Sequence, residues 1–169
     1  MEKDLKSLQE ELKPASVEMS KLTRTFRENY EGQPWYGEPI ARILEGITFD
    51  MAMARPMRGV HSIYEIVAHS LHWRRFGLAQ LRGDGVNDSP DWLPWDGKEP
   101  ADWEKLKADF AATQRELTGA LEKLDDRLLD ETSPSRTYSI RFLLNGLIQH
   151  DCYHFGQVSL LKRATASPV

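Results

Sequence analysis

The chain of 169 residues has little of several features that would define its class at once. None of its apolar runs approaches about 20 residues, the length that a membrane-spanning helix needs. Residues 1–6 lack the apolar core of a signal peptide, so we expect a cytoplasmic location. The single cysteine, Cys152, cannot form an internal disulfide, which fits a reducing compartment. Lysine and arginine (22 residues) are outnumbered by aspartate and glutamate (26 residues), and the net charge of −4 argues against a surface that binds nucleic acid. A small soluble domain remains, which could be an enzyme, a binding protein or a scaffold.

Several catalytic motifs are missing as well. The sequence has no glycine-rich phosphate loop, no Ser-His-Asp series and no nucleophile elbow. It also lacks the His-Glu-x-x-His pair of zinc proteases and the paired Glu-x-x-His motifs of di-iron bundles. The five histidines are therefore the main candidates for a chemical role.

Apolar residues recur at the helical spacing along most of the chain, and no strand-like alternation extends beyond a few residues. The predicted helical segments are residues 1–31 with a break or kink at Pro14, 40–47, 61–81, 103–124 and 138–163, the last with Thr137 as its N-cap. Residues 92–95, an aromatic segment, are predicted to pack across one end of the bundle. These features predict a single all-α domain over residues 1–169, a four-helix bundle to which residues 1–31 add an N-terminal helical extension.

The last predicted helix carries two histidines on its buried face. At about 100° per residue, His150 and His154 fall in line with Leu143, Leu147 and Val158, so both imidazoles point into the bundle. Neutral imidazoles one turn apart can bind one divalent ion. Two core histidines held by hydrogen bonds are the equally open alternative.

The helix predicted over residues 61–81 supplies a third inward histidine. His69 shares a line with Trp73, whereas His72 lies beside that line. With His150 and His154, it would provide three nitrogen ligands and leave a fourth position for water or substrate, which is the pattern of a catalytic metal. His72 would replace His69 if the helix were rotated by one position.

The positions of several charged residues can also be predicted. Glu65, one turn before the inward histidine, could act as an acceptor or a base at the site, but an exposed helix carboxylate is the favoured interpretation. The pairs Arg24/Arg27 and Arg74/Arg75 are expected on solvated faces.

The uncharged residues near these histidines also have predicted structural or functional roles. Cys152 is expected to pack rather than to react. Gly156 indicates that a helix or a pocket approaches closely, since glycine in a helix costs about 1 kcal/mol relative to alanine, with a tolerated accident as the alternative. Gln157 is either an orienting group for a ligand or a surface amide. Trp73 and Phe76 are expected in the core, with a pocket wall as the alternative.

The element His150-x₃-His154-x-Gly156-Gln157, together with residues 61–69 and a Trp35-x-Gly37 turn, carries a resemblance. In these segments the sequence closely resembles the DinB/YfiT-like family, and the similarity extends over about residues 33–163. The residues before this range match the family less well.

The resemblance implies an up-down-down-up four-helix bundle that holds one divalent metal ion through His69, His150 and His154. The ion could be zinc, nickel or iron, because three imidazoles accept several metals. Family members with assigned chemistry depend on thiols, among them bacillithiol S-transferases and mycothiol-dependent maleylpyruvate isomerases, and homodimers are frequent. The resemblance therefore implies a small-molecule substrate, a low-molecular-weight thiol as a partner, and a homodimer, with no nucleic acid or membrane involved.

Three functional hypotheses follow. The leading one is a metal-dependent transferase or hydrolase in which the ion activates a thiol or a water molecule. The alternative is a non-catalytic metal or small-molecule binding protein of the same fold, and a third is a helical interaction module whose histidines only pack. Because imidazole must be neutral to bind metal, occupancy is expected to fall below about pH 6.

Overall fold

The computed structural model describes residues 16–84 and 99–166, and these residues are largely helical. The elements in chain order are α1 (Val17–Glu31), α2 (Ile40–Leu44), α3 (Phe49–Met53), α4 (Ile63–Arg82), α5 (Pro100–Leu121), a 3₁₀ turn (Asp126–Asp130) and α6 (Ile140–Thr165). Within the described ranges there is no strand, only an isolated β-bridge between Thr132 and Ser139. The all-α prediction is confirmed. None of the described helices is long and apolar enough to cross a membrane.

The four long helices form the bundle. Helix α4 packs against α5 and α6, and α1 packs against the same two helices from the opposite side. The part of the predicted N-terminal extension that is described, α1, is thus one of the four bundle helices rather than an addition to them. Its inward stripe of Met19, Thr23 and Phe26 is buried, which explains why it joins the bundle. Residues 1–15, with the predicted break at Pro14, and the aromatic segment at residues 92–95 lie outside the described ranges.

Helix α4 begins and ends with well-formed caps. Ser62 Oγ accepts a hydrogen bond from Glu65 N at 3.2 Å, and Glu65 Oε2 accepts one from Ser62 N at 2.6 Å, which together form a capping box. At the other end Gly83 adopts a left-handed conformation with φ +81°, which glycine tolerates without strain. The predicted helix over residues 61–81 is therefore observed with nearly the expected bounds.

Helix α6 begins two residues later than predicted. Ser139, not Thr137, is the N-cap, and its Oγ accepts from Phe142 N at 3.2 Å. The backbone before it is engaged elsewhere, because Ser133 N donates to Tyr138 O and Ile140 N donates to Glu131 O, each at 2.9 Å. This closed loop holds the chain outside the helix until Ser139.

The core has two apolar clusters separated by a polar layer. One cluster contains the first half of α4, the first half of α5 and the end of α6, and the other contains α1 and the remaining halves of those helices. Between them lie the buried or half-buried polar side chains His69, Arg74, Gln114, His150, Asp151 and His154. We refer to these six residues as the polar layer.

Candidate metal site

The three predicted histidines meet in the polar layer. His69 comes from α4, and His150 and His154 come from successive turns of α6, which packs against it. One ring nitrogen from each residue lies within 4.8 Å of the others, and the Nε2 atoms of His69 and His150 are 3.1 Å apart. The ring centroids are separated by 5.0, 5.0 and 4.3 Å. The structure thus brings together the three side chains that the sequence singled out.

This arrangement fits a divalent ion. At zinc–nitrogen distances of about 2.0–2.1 Å, two ligands of a tetrahedral site have nitrogens about 3.3 Å apart, close to the separation of the His69 and His150 atoms. The other ring nitrogen of His150, Nδ1, is buried and makes no hydrogen bond within the described residues. An ion held through Nε2 would leave this nitrogen as it is, so the fit rests on the spacing of the ligand nitrogens and on the donor type. Zinc, nickel and iron all accept imidazole ligands, so the donor set leaves the metal open.

Two of the three histidines, His150 and His154, are also in the protonation state that metal binding requires. Burial, followed by the charges of His154, His69 and Arg74, lowers the pKa of His150 to about 3. Burial likewise lowers the pKa of His154, against a smaller opposing effect of its hydrogen bond to Gln157. Both imidazoles are therefore neutral near pH 7, and no proton has to be removed from them before an ion binds.

Gln157 orients one of the three rings. His154 Nδ1 lies 3.0 Å from Gln157 Oε1, so the ring nitrogen donates and the amide oxygen accepts. With its proton on Nδ1, His154 keeps Nε2 unprotonated and available as a ligand. Gln157 was predicted to be either an orienting group for a ligand or a surface amide. The contact gives it an orienting role, but the group that it orients is His154 rather than a ligand.

Glu65 does not occupy the exposed position that was expected. It is 4% exposed, and Arg55 Nη2 donates to its Oε1 at 2.7 Å while its Oε2 caps the start of α4. His61 Nδ1 is 3.4 Å from the same Oε1. The expectation was wrong because the capping box turns the carboxylate back over the helix end. Neither Glu65 nor His72 belongs to the group of described side chains that could share one ion.

Arg74 corrects a second expectation, since it is fully buried and not on a solvated face. Its Nε donates to Asp151 Oδ2 at 2.9 Å, its Nη2 lies 2.8 Å from the same oxygen, and its Nη1 donates to Gln114 Oε1 at 2.6 Å. Its guanidinium carbon is 4.3 Å from the ring centroid of Phe110. The sequence did carry a signal, because apolar residues on almost every side of α4 are typical of a helix with neighbours all round. Its neighbour Arg75 is exposed, as predicted.

Two clefts open on either side of the histidines. The aliphatic cleft, of about 420 Å³, reaches His154 and is lined mainly by Met57, Val60, Ile66, Leu160 and Leu161. The aromatic cleft, of about 280 Å³, reaches His150 and is lined mainly by Trp73, Tyr138, Phe142, Gly146 and Leu147. Trp73 therefore walls a pocket, the alternative raised for it, whereas Phe76 is a core residue.

The remaining predictions for α6 have different outcomes. Cys152 is half-buried with its Sγ 3.6 Å from Asn29 Nδ2, and burial raises the pKa of its thiol, in agreement with a packing role. Gly156 was wrongly interpreted, since a Cβ there would meet nothing within 4 Å. The close approach between helices occurs at Gly77, where a Cβ would lie 2.5 Å from a methyl carbon of Leu147.

Comparison with known families agrees with this site. The model of the DinB superfamily matches residues 40–158, which is more than half of the chain and includes all three histidines. The chain belongs to the DinB superfamily. No curated protein and no solved structure shows a significant match.

Proposed function

We propose that this protein is a metal-dependent enzyme that holds one divalent ion through His69, His150 and His154. The observation that carries the proposal is the convergence of three imidazole nitrogens, two of them on rings whose pKa values are lowered, within 4.8 Å of one another. The reaction is the transfer of a low-molecular-weight thiol to a small electrophile, with hydrolysis as the second reaction class.

A divalent ion would supply Lewis acidity, which lowers the pKa of a thiol or a water molecule beside it. The chain's own residues prepare the site for such an ion. Gln157 holds the tautomer of His154, and the clefts provide mainly apolar walls beside the histidines. In the transfer, the sulfur forms a bond to an electrophilic carbon, the leaving group departs with the bonding electron pair, and the thiol proton passes to solvent.

Metal content tests the ligand assignment. The wild-type protein, purified without added metal, should contain one equivalent of a divalent ion by elemental analysis. The triple variant His69→Ala, His150→Ala, His154→Ala should lose it while its helical circular dichroism persists. His72→Ala is the matched control and should keep the metal. An unchanged metal content in the triple variant would contradict the assignment.

Turnover tests the chemistry. The metal-loaded protein should accelerate the conjugation of a small thiol to an electrophile, or the hydrolysis of an ester or amide, and His154→Ala should abolish the acceleration. A non-catalytic metal or small-molecule binding protein is the second candidate. One observation favours it: Glu65, the carboxylate considered as a base, is held by Arg55 and by the start of α4. If the protein accelerates no reaction across a broad panel of thiols, electrophiles, esters and amides, the binding protein should replace the enzyme as the proposed function.

The homodimer, the cytoplasmic location and the single domain over residues 1–169 stay predictions. Sedimentation analysis of the full chain tests the first of them, and a mass of one chain at micromolar concentration would contradict it.

A further inference from the structure

The geometry points to a centre for two organic substrates, in which the aromatic cleft takes a flat ring and the aliphatic cleft takes an alkyl group. This inference rests on the proposed function, and it selects transfer over hydrolysis. Hydrolysis brings together one organic molecule and water, whereas a transfer brings together two organic molecules.

The placement of the clefts is the first step. They share no lining residue, and each reaches a different histidine of α6, one turn apart. A molecule in the aromatic cleft meets His150, and a molecule in the aliphatic cleft meets His154. Since the rings of these histidines are 4.3 Å apart, two occupants could approach the same point from opposite sides.

The lining of the aromatic cleft determines the first class of ligand. The rings of Tyr138 and Phe142 lie 5.1 Å apart, and Trp73 lies 5.7 Å from the ring of His150. Gly146 places no side chain in this wall. Aromatic rings at such separations favour offset or edge contacts with a further ring. A volume of about 280 Å³ is near the lower end of the range for small-molecule pockets, which suits one or two fused rings.

The lining of the aliphatic cleft determines the second class. Its walls are mainly branched or flexible aliphatic side chains, including Met57, which adapts its shape to irregular ligands. The ring of Tyr153 also lines this cleft, at its end beside His154, where the two ring centroids are 5.0 Å apart. Its polar groups, among them His61 and Gln157, lie near His154. An alkyl chain with a polar end fits this distribution, with the polar end toward the histidines.

The exposure of two residues supports binding roles for both clefts. Phe142 is 65% exposed and Leu160 is 59% exposed, although both are large and apolar. They lie on opposite sides of the histidines along α6, one in each cleft. Because both are exposed, either can be shortened to alanine without leaving a cavity in the core.

Binding of indole and of 1-hexanol, measured by NMR titration of the ¹⁵N-labelled full-length protein with and without zinc, tests the inference. Phe142→Ala should weaken indole binding about tenfold and leave hexanol binding within about twofold, whereas Leu160→Ala should do the reverse. Each variant is the matched control for the other. Indole should also bind with unchanged affinity in the presence of saturating hexanol.

The outcomes separate this inference from the proposed function. Three results would contradict the inference of two separate binding clefts while leaving the metal assignment intact. They are competition between the probes, equal effects of both substitutions on both probes, and no binding of either probe. Separate binding in a protein that never takes up metal would overturn the proposed function, and the two-substrate centre with it.

Discussion

The buried ion pair between Arg74 and Asp151 offers the sharpest test of how the polar layer is held. The Arg74 side chain is 0% exposed and that of Asp151 is 2% exposed. Arg74 also bonds Gln114, whose Nε2 donates to Phe26 O at 3.0 Å. This chain of contacts joins α4, α5 and α6 to α1. Removing either charge would therefore leave its partner buried without compensation.

The expected effect is large compared with the stability of a domain. Breaking a buried pair by removing one partner costs about 3–5 kcal/mol, whereas a whole domain is stable by about 5–15 kcal/mol. Arg74→Met and Asp151→Leu should each lower the free energy of unfolding by an amount in that range. The double variant should lose clearly less than the sum, because it leaves no isolated charge.

Arg75 is the matched control for this experiment. It is the next residue on the same helix, it is 56% exposed, and it pairs with Asp109 at 3.1 Å on the surface. Arg75→Met should change the free energy of unfolding by about 1 kcal/mol or less. Urea denaturation of the metal-free proteins measures all four variants. The reasoning would be refuted if Arg74→Met cost no more than Arg75→Met, or if the two buried substitutions were simply additive.

Two further predictions concern the histidines. The lowered pKa values of His150, about 3, and of His154 mean that the unfolded chain binds more protons than the folded chain below about pH 6.5. The metal-free protein should therefore be progressively destabilised as the pH falls from about 6.5 toward 3. Thermal unfolding against pH measures this effect, and a pH dependence unchanged in His150→Gln would contradict it. For the same reason, the metal-bound protein should retain its ion below the pH 6 expected from ordinary histidines. Gln157→Leu should weaken metal binding about 10–100-fold because His154 loses its orienting acceptor, while Gln157→Glu should retain most of the affinity; equal affinities for the Leu variant and the wild type in a competition titration would contradict this role.

The sequence predicted the long helices well because each carries a periodic stripe over several turns. Helices α4, α5 and α6 all coincide with predicted segments to within a few residues at either end. Helix α3 and the 3₁₀ turn were missed, since five residues are too few to show a period. The start of α6 was misplaced because Thr137 and Ser139 are equally good caps in isolation, and only the pairing of the preceding loop decides between them.

The candidate site was predictable in part. Periodicity placed three histidines on inward faces, but only the resemblance implied that α4 and α6 are neighbours with these rings opposed. The clefts were not predicted, because their walls combine exposed side chains of α6, such as Phe142 and Leu160, with residues from other elements. Arg74 was misjudged because a charged residue has a strong prior for the surface, and its buried partner Asp151 is 77 positions away in sequence.

The polar layer explains why α1 matters to a site whose family match begins only at residue 40. On α6, consecutive residues face two ways: His150 meets His69, and Asp151 meets Arg74. The ion pair behind the histidines is completed by Gln114, which α1 holds through a backbone carbonyl. Buried charges persist only where every neighbour is in place. We therefore expect the histidines to keep their arrangement through a network that extends to α1, so that the unit that forms the site includes residues 17–31.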